Sequence, residues 1–404
     1  MAAGDVITDA VSYAGRHAST CGYCASTTNT SVADGAIAHR LTTAVYNDLI
    51  EDGWRRSGRY VYKPVIGTTC CATHVIRLRC VEFTLSKSQR KVMRRIARTT
   101  ARTSEDEDDG SGTAAANERL EVTTARSSFV REEYELYERY QTSVHGDAPE
   151  DVSVASYRRF LVDSPFDDEP PGPGTPSTGF GAFHQQYRIG GKLVAVGVVD
   201  ILPKGLSSKY FFWDPDYARL SLGKVSALKE IAFVLEEQRR GARGFDFYYM
   251  GYYIHDCPKM RYKAEYAPSE IRCSTTRRWV HVDDEDVRRR LDVGEHRLLS
   301  DEPALERAMC PVEDSLVGVS MRGHLIGVCA LREFPSLAKS LVLFGNLNYR
   351  DVVNYVTEEQ TEWCNSAGTS ALRIVNVIAV ERASRGELED DDTENEGSED
   401  DEMY

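Results

Sequence analysis

The stretch YYMGYYIHDCPKMRYK, Tyr248 to Lys263, runs tyrosines, a histidine and a cysteine into a short cationic segment. A purely structural strand would need only apolar side chains. Tyr248, Tyr249, Tyr252 and Tyr253 add hydroxyls that require partners when buried, and His255 is of the type that titrates near neutrality. Lys259, Arg261 and Lys263, spaced by two, would line one side of an extended segment and meet phosphate or carboxylate. That mixture suits the mouth of a site for an anionic partner. A core strand running into a solvated basic loop is the alternative.

Two further clusters could do chemistry. CGYC, Cys21 to Cys24, is a CxxC, which redox, metal binding and chance all produce; Cys70 and Cys71 in GTTCCAT complete a set of four thiols for tetrahedral zinc or an iron-sulfur cluster. Neighbours in a strand point to opposite sides, so both can be ligands only if Thr68 to Cys71 form a turn. His74 could replace one of them, and buried unliganded thiols are the alternative. A thioredoxin-like pair fits less well, since no βαβ pattern surrounds it. GWRRSGRYVYKP, Gly53 to Pro64, interleaves Trp54, Tyr60 and Tyr62 with Arg55, Arg56, Arg59 and Lys63. Aromatic faces for stacking and cations for phosphates are what a single-stranded or looped RNA end requires, and a surface hairpin with snorkelling cations is the other reading.

The background to these clusters is an ordinary globular composition, 41% apolar over 404 residues, enough for two or three domains. No run approaches the roughly 20 apolar residues of a bilayer span, and MAAGDVITDA lacks the order of a secretory signal. The ten cysteines therefore belong in a reducing compartment, the cytoplasm and also the nucleus. The net charge of −14 is unevenly placed: 11 carboxylates lie between Glu387 and Glu402 and five in EDEDD, Glu105 to Asp109, and without them the balance is −14 + 16 = +2. Between Arg55 and Arg98 stand 12 Lys or Arg against the single acid Glu82, a field that predicts a polyanionic partner, nucleic acid first.

The elements that must position these residues can be read from pattern. Polar, acidic or Pro/Gly-rich stretches divide the chain into a Cys-rich basic module (1–98), an acidic insertion (99–119), a connecting helical segment (120–162), a Pro/Gly-rich loop (163–179), a main lobe (180–279), a C-terminal lobe (280–386) and an acidic tail (387–404). In the main lobe, FHQQYRI, the Gly190–Gly191 turn and KLVAVGVVDIL predict a hairpin, and KYFFWD from Lys209 a third strand. Leu222, Val225, Leu228, Ile231 and Leu235 then recur at helical spacing, with Ser221 as N-cap, and FDFYYMGYYI returns as the strand after that helix. This order is that of an α+β, N-acetyltransferase-like mixed sheet, whose cleft opens where central strands splay beside the helix N-terminus. ARLSLGKVSA, with only Gly223 near the expected place, matches a coenzyme A pyrophosphate loop poorly. A weaker second round follows: a hairpin from SLVGVSM and HLIGVCALREF, a helix over Asp351 to Cys364, and a closing strand in ALRIVNVIAVE, read as the second of two related lobes.

The blocks CGYC, DLIEDGWRRSGRYVYKP, TCC, KSQRKVMRR, YELYERYQTSVHGD, FHQQYRIGGKLVAVGVVDILP, LSSKYFFWDPDY, LSLGKVSALKEIAF and YYMGYYIHDCPKMRYKAEYAPSE together resemble the eukaryotic arginyl-tRNA:protein arginyltransferase family, from about Cys21 to Trp279. The resemblance implies transfer of arginine from Arg-tRNA to the α-amine of proteins beginning with Asp, Glu or oxidised Cys, creating a degradation signal for ubiquitin ligases. It implies a tandem N-acetyltransferase-like fold that takes aminoacyl-tRNA in place of acyl-coenzyme A, and a zinc or iron-sulfur site at Cys21, Cys24, Cys70 and Cys71.

For that reaction, His184, Tyr252 and His255 are candidates for proton handling. Asp200, Asp214, Asp216 and Glu265 are candidates for the donor's guanidinium, Lys259, Arg261 and Lys263 for the acceptor's carboxylate, and Trp54, Arg55, Arg56, Arg59 and Lys63 for the tRNA. A coenzyme A-dependent N-acetyltransferase and a non-catalytic, metal-containing RNA-binding adaptor remain as rivals.

Overall fold

The computed structural model describes residues 9–24, 26–102, 119–305, 312–321, 324–338 and 349–379; most of the acidic insertion and all of the acidic tail lie outside these, as does Cys310. Two mixed sheets carry the chain, and the first is built from both ends of the sequence. A long hairpin of β1 (Ala10–Cys21) and β2 (Ser26–Arg40) is joined on one side by β4 (Tyr60–Pro64) and β3 (Arg55–Ser57), and on the other by β15 (Val375–Ala379). The hairpin β13 (Leu316–Met321) and β14 (His324–Ala330) completes the order β14-β13-β15-β1-β2-β4-β3.

The second sheet centres on the predicted hairpin, β7 (Gly181–Ile189) and β8 (Lys192–Leu202), closed by Gly190 and Gly191, both at positive φ as a two-residue hairpin turn requires. Apart from Lys192, β8 is buried along its whole length, as a strand covered on both faces must be. β6 (Leu120–Arg126) edges β7, and β9 (Gly205–Trp213) follows β8. β10 (Phe247–Tyr253) lies between β9 and β5 (His74–Arg79), and β11 (Ser269–Arg272) and β12 (Trp279–His281) finish the order β12-β11-β5-β10-β9-β8-β7-β6. The first 98 residues are thus shared between the two sheets.

Helices cover the faces. α1 (Thr43–Glu51), with Trp54 and residues of α8 (Tyr349–Ala367), fills the core between the sheets. α5 (Leu222–Arg239) packs Leu228, Ile231 and Val234 on the far face of the second sheet, where α7 (Glu285–Asp292) adds Val287 and Leu291. α3 (Arg131–Tyr140) and the short α4 (Val154–Tyr157) set Tyr134, Tyr137 and Tyr157 against β8 and β9. α2 (Lys87–Arg102) turns Val92 and Ile96 inward and its cations outward.

Three local expectations are corrected. The third strand begins at Gly205, because a bulge at Lys209 lets LSS join the ladder with β8. Ser221 precedes α5 but has left-handed backbone (φ 56°) and makes no side-chain cap. The run from Lys259 to Lys263 is helical, with Pro258 opening the single turn α6 (Pro258–Arg261), so its cations fan out around a turn.

Candidate functional site

β9 and β10 are parallel, and their ladder holds for only three pairs: Phe247 with Gly205, Tyr248 with Leu206, and Tyr249 with Ser207. Beyond it each strand stays with its other neighbour, β9 with β8 as far as Trp213 and β10 with β5 as far as Tyr253. The two central strands therefore part, leaving backbone groups that the ladder does not use. Gly251 sits at the irregularity in β10 with φ 78°, a conformation that a side chain would strain.

Cations gather at this opening. Arg55 of β3 reaches across from the first sheet, donating from Nη1 to Ser207 Oγ (3.0 Å) and from Nη2 to the Gly251 carbonyl (3.0 Å). Lys263 donates to the Tyr252 carbonyl (2.7 Å), and burial together with the charge of Arg55 pushes its ammonium down to about 7. Lys209, at the bulge, donates to the Phe160 carbonyl (3.2 Å) and is driven far below the usual lysine range by burial and by Arg56. Burial thus favours the neutral form of both lysines and leaves Arg55 as the fixed charge at the opening.

The other side of the same sheet carries an acid. Glu230 of α5 is fully buried, and neither carboxyl oxygen makes a hydrogen bond of good geometry. The hydroxyls of Tyr248, Ser208 and Ser226 are its polar neighbours, and burial raises its pKa to about 7. Nothing in the amphipathic pattern of α5 marked this glutamate, because its position is one of the buried ones; an acid on the apolar face was the available signal.

The candidates for proton handling lie apart. His184 is enclosed on β7, with Nδ1 on Glu133 (2.6 Å) and Nε2 on the Leu161 carbonyl (3.2 Å), two strands from the opening. Tyr252 is buried with its hydroxyl on the Gly53 carbonyl (3.2 Å). His255 bonds Tyr253 through Nδ1 (2.7 Å) and Asp292 through Nε2 (2.8 Å), a base oriented by a carboxylate at the end of β10. Among the acids, Asp200 is paired with Arg56 (2.5 Å), Asp214 with Lys192 (2.9 Å) and Arg139 (3.0 Å), Asp216 with Arg139 (3.2 Å) and Glu265 with Lys224 (3.4 Å). Lys259 and Arg261 are exposed, the latter donating to the His255 carbonyl.

The aromatic and basic segment 53–64 is mostly internal. Trp54, Arg55 and Arg56 are buried, and Arg56 forms a bidentate pair with Asp200 while also donating to the Gly58 carbonyl (2.7 Å). Lys63 pairs with Asp52 (2.8 Å), and Arg59 is exposed, donating to the His39 carbonyl (3.2 Å). The interleaving arises because β3 and β4 face the second sheet, where guanidinium groups fasten one sheet to the other. Exposed cations stand instead on α2: Lys87, Lys91, Arg94 and Arg98 point to solvent and form no ion pair among the described residues. A cleft of about 430 Å³ beside α1 holds Asp48, Asp52, Arg272, Arg277 and Arg373, whose charges already engage one another, Asp52 with Arg272 and Arg277 and Asp48 with Arg373.

The four N-terminal thiols do converge. Cys21 ends β1, Cys24 lies in the hairpin turn, and Cys70 and Cys71 lie in the turn after β4, which is held by the Cys70 N–H on the Thr30 carbonyl (2.9 Å). All four sulfurs lie within 4.8 Å of one another, and Cys24 and Cys70 are 3.7 Å apart. The edge of a tetrahedron with zinc–sulfur bonds of about 2.3 Å is about 3.8 Å, so the set fits a single tetrahedral ion. Against burial, the Ser26 N–H and the neighbouring thiols hold Cys24 below the usual thiol range, while burial raises Cys70 and Cys71.

Known proteins share much of this sequence. Residues 19–91 match the family described as arginine-tRNA-protein transferase, N terminus, and residues 132–273 the one described as arginine-tRNA-protein transferase, C terminus. The chain is 32% identical to arginyl-tRNA–protein transferase 2 of Arabidopsis thaliana, covering 66% of this chain and 74% of that protein. It is 31% identical to arginyl-tRNA–protein transferase 1 of Drosophila melanogaster, covering 73% and 86%. Aspartate/glutamate leucyltransferase of Pseudomonas putida is 33% identical over 58% of this chain and 82% of its own. The C-terminal domain of a lysylphosphatidylglycerol synthetase from Agrobacterium fabrum aligns at 12% identity and a TM-score of 0.26 over 46% and 47% of the two chains, too low to carry an argument.

Proposed function

This chain belongs to the arginyl-tRNA–protein transferase family, and we propose that it moves arginine from Arg-tRNA to the N-terminal α-amine of proteins beginning with Asp, Glu or oxidised Cys, marking them for ubiquitin-dependent degradation. It is an aminoacyltransferase. The observation that carries the finer reading is the parallel β9–β10 pair that parts after three residues with Arg55 and Lys263 at the gap. That arrangement supports an N-acetyltransferase-like lobe in which an acyl donor threads between the strands.

The chemistry asks little of a base. An α-amino group has a pKa of about 8, so a useful fraction of it is already neutral at cellular pH, and the aminoacyl ester is already activated. Holding amine and ester together can supply on the order of 7 to 11 kcal/mol. Arg55 and Lys263 would take the acceptor's carboxylate or the carbonyl oxygen on which charge develops. The proton leaves the amine as the C–N bond forms and the ester oxygen departs; because Asp292 holds His255 Nε2 and Nδ1 faces the Tyr253 hydroxyl, we assign that hydroxyl to take the proton while passing its own to His255 Nδ1. Lys259 and Arg261 on α6 extend the positive surface toward the acceptor.

For the donor's tRNA we propose the exposed row on α2, with Arg59 beside the first sheet, as the phosphate-binding surface. The thiol cluster would hold zinc in preference to an iron-sulfur cluster, which spreads its four thiolates over two or four irons and so sets some of them farther apart than around one ion. A tetrahedral zinc there would tie the turn after β4 to the tip of the β1–β2 hairpin. The nine described cysteines are free thiols, which supports a reducing compartment, cytoplasmic or nuclear. No helix among the described residues is long and apolar enough to cross a membrane. The test is transfer of radiolabelled arginine from charged tRNA to peptides beginning with Asp, Glu and Ala: transfer to the first two only is expected, and equal transfer to all three would refute acceptor selection.

A further inference from the structure

Glu230 is a buried charge without a counterpart. The other buried carboxylates among the described residues are engaged: Asp34 by Arg16, Asp52 by Lys63 and Arg272, Asp200 by Arg56, Asp214 by Lys192, Glu133 by His184, and Asp9 and Glu237 by hydroxyls and backbone N–H groups. Both oxygens of Glu230 lack a well-formed hydrogen bond and no cation pairs with them, although burying an unpaired carboxylate is costly. The nearby Tyr266 hydroxyl, also buried, is likewise unpartnered, and the two carboxyl oxygens face only neutral hydroxyls, those of Tyr248, Ser208 and Ser226.

The position of this spot is specific. Ser208 is the first residue of β9 beyond its ladder with β10, and its pairing with Val199 puts it on the α5 face, whereas Ser207, paired with Asp200, faces Arg55 and Arg56. Glu230 therefore lies at the foot of the gap, on the side opposite the cations. Gly197 of β8 faces it, and even a methyl group there would come within 3.4 Å of Oε1. Tyr187, Tyr248, Tyr262 and Tyr266 all feel its charge, and Tyr262, 39% exposed, is the ring of this set nearest to solvent.

We propose that Glu230 reads the side chain of the transferred amino acid, accepting a bidentate pair of hydrogen bonds from the guanidinium of the arginyl donor, with the tyrosine rings as its stacking walls and access past Tyr262. This assignment rests on the arginyl-transfer reading above and supplies its donor specificity. A planar, delocalised cation fits a carboxylate among aromatic rings better than a compact ammonium does, because it can stack and bond two oxygens at once. The four acids Asp200, Asp214, Asp216 and Glu265 already have cations of their own and leave the role to Glu230.

The test is calorimetric binding of argininamide and of its uncharged isostere citrullinamide to the full chain and to Glu230→Gln, alongside transfer from Arg-tRNA. Expected are a preference of the unaltered protein for argininamide, at least a tenfold loss of that preference in Glu230→Gln, and a fall of about 100-fold in kcat/KM with unchanged affinity for uncharged tRNA. Equal binding of the two amides by the unaltered protein, or an intact preference in Glu230→Gln, overturns the assignment. So does a Glu230→Gln variant that loses turnover while keeping the amide preference, since that is the behaviour of a base. Absence of arginyl transfer by the unaltered protein refutes the enzymatic reading separately, because the binding arm is read without turnover.

Discussion

Replacing Glu230 with glutamine removes a buried charge while keeping the shape of the side chain. Burial raises the Glu230 carboxyl from 4.5 to about 7, and at about 1.4 kcal/mol per pH unit the ionised form costs the fold about 3 kcal/mol relative to the protonated one. The sign follows from proton counting. Between pH 4.5 and about 7 the folded protein keeps a proton that the unfolded chain has released, so stability falls as pH rises through that window and levels off above it. The surrounding tyrosines, held above their ordinary range, do not titrate there. The variant has no such carboxyl. Thermal unfolding of both proteins at about pH 5 and pH 8 should give similar Tm values at the lower pH and a variant more stable at the higher by on the order of 5 °C. Tm curves that run parallel across this range would refute the placement of an uncompensated carboxylate beneath the sheet.

Three other substitutions address separate parts of the molecule. Arg56→Ala leaves Asp200 buried without its partner and should destabilise the fold by about 3 to 5 kcal/mol, whereas Arg59→Ala should be near neutral; chemical denaturation of the pair checks this. Reversing Lys91 and Arg94 to glutamate should weaken tRNA binding and flatten the plot of log affinity against log salt by roughly 2, one for each phosphate no longer neutralised; an unchanged slope would move the tRNA surface off α2. Cys70→Ser and Cys71→Ser should abolish bound zinc in elemental analysis, while Cys329→Ser and Cys364→Ser, which are not among the converging sulfurs, should retain it.

The second sheet is legible in the sequence because its signals are local. The glycine pair between β7 and β8, the unbroken apolar run of β8 and the spacing of Leu222 to Leu235 each act within a few residues. The thiol set is legible for the same reason, since two short motifs hold all four converging cysteines. What local pattern does not convey is where distant segments meet. β5 enters between β10 and β11, and β15 pairs with β1 across almost the whole chain. Arg55 and Arg56 read as a surface for RNA because charge and aromatic content are visible in sequence, whereas Ser207, Gly251 and Asp200, which they bind, lie more than a hundred residues away. Glu230 gives only a weak signal, an acid on the apolar face of α5, which is unremarkable until its neighbours prove to be tyrosines and serines with no cation among them.

Arginine transfer itself is tested most directly in a single turnover from Arg-tRNA to an Asp-started peptide, with an Ala-started peptide and Lys-tRNA as controls. Rapid transfer is expected only for the pairing of Arg-tRNA with the Asp-started peptide. Glu230→Gln should narrow the difference between Arg-tRNA and Lys-tRNA without altering the choice between peptides. Transfer that ignores the identity of both donor and acceptor, or no transfer at all from Arg-tRNA, would contradict the assignment of this chain as a selective arginyltransferase.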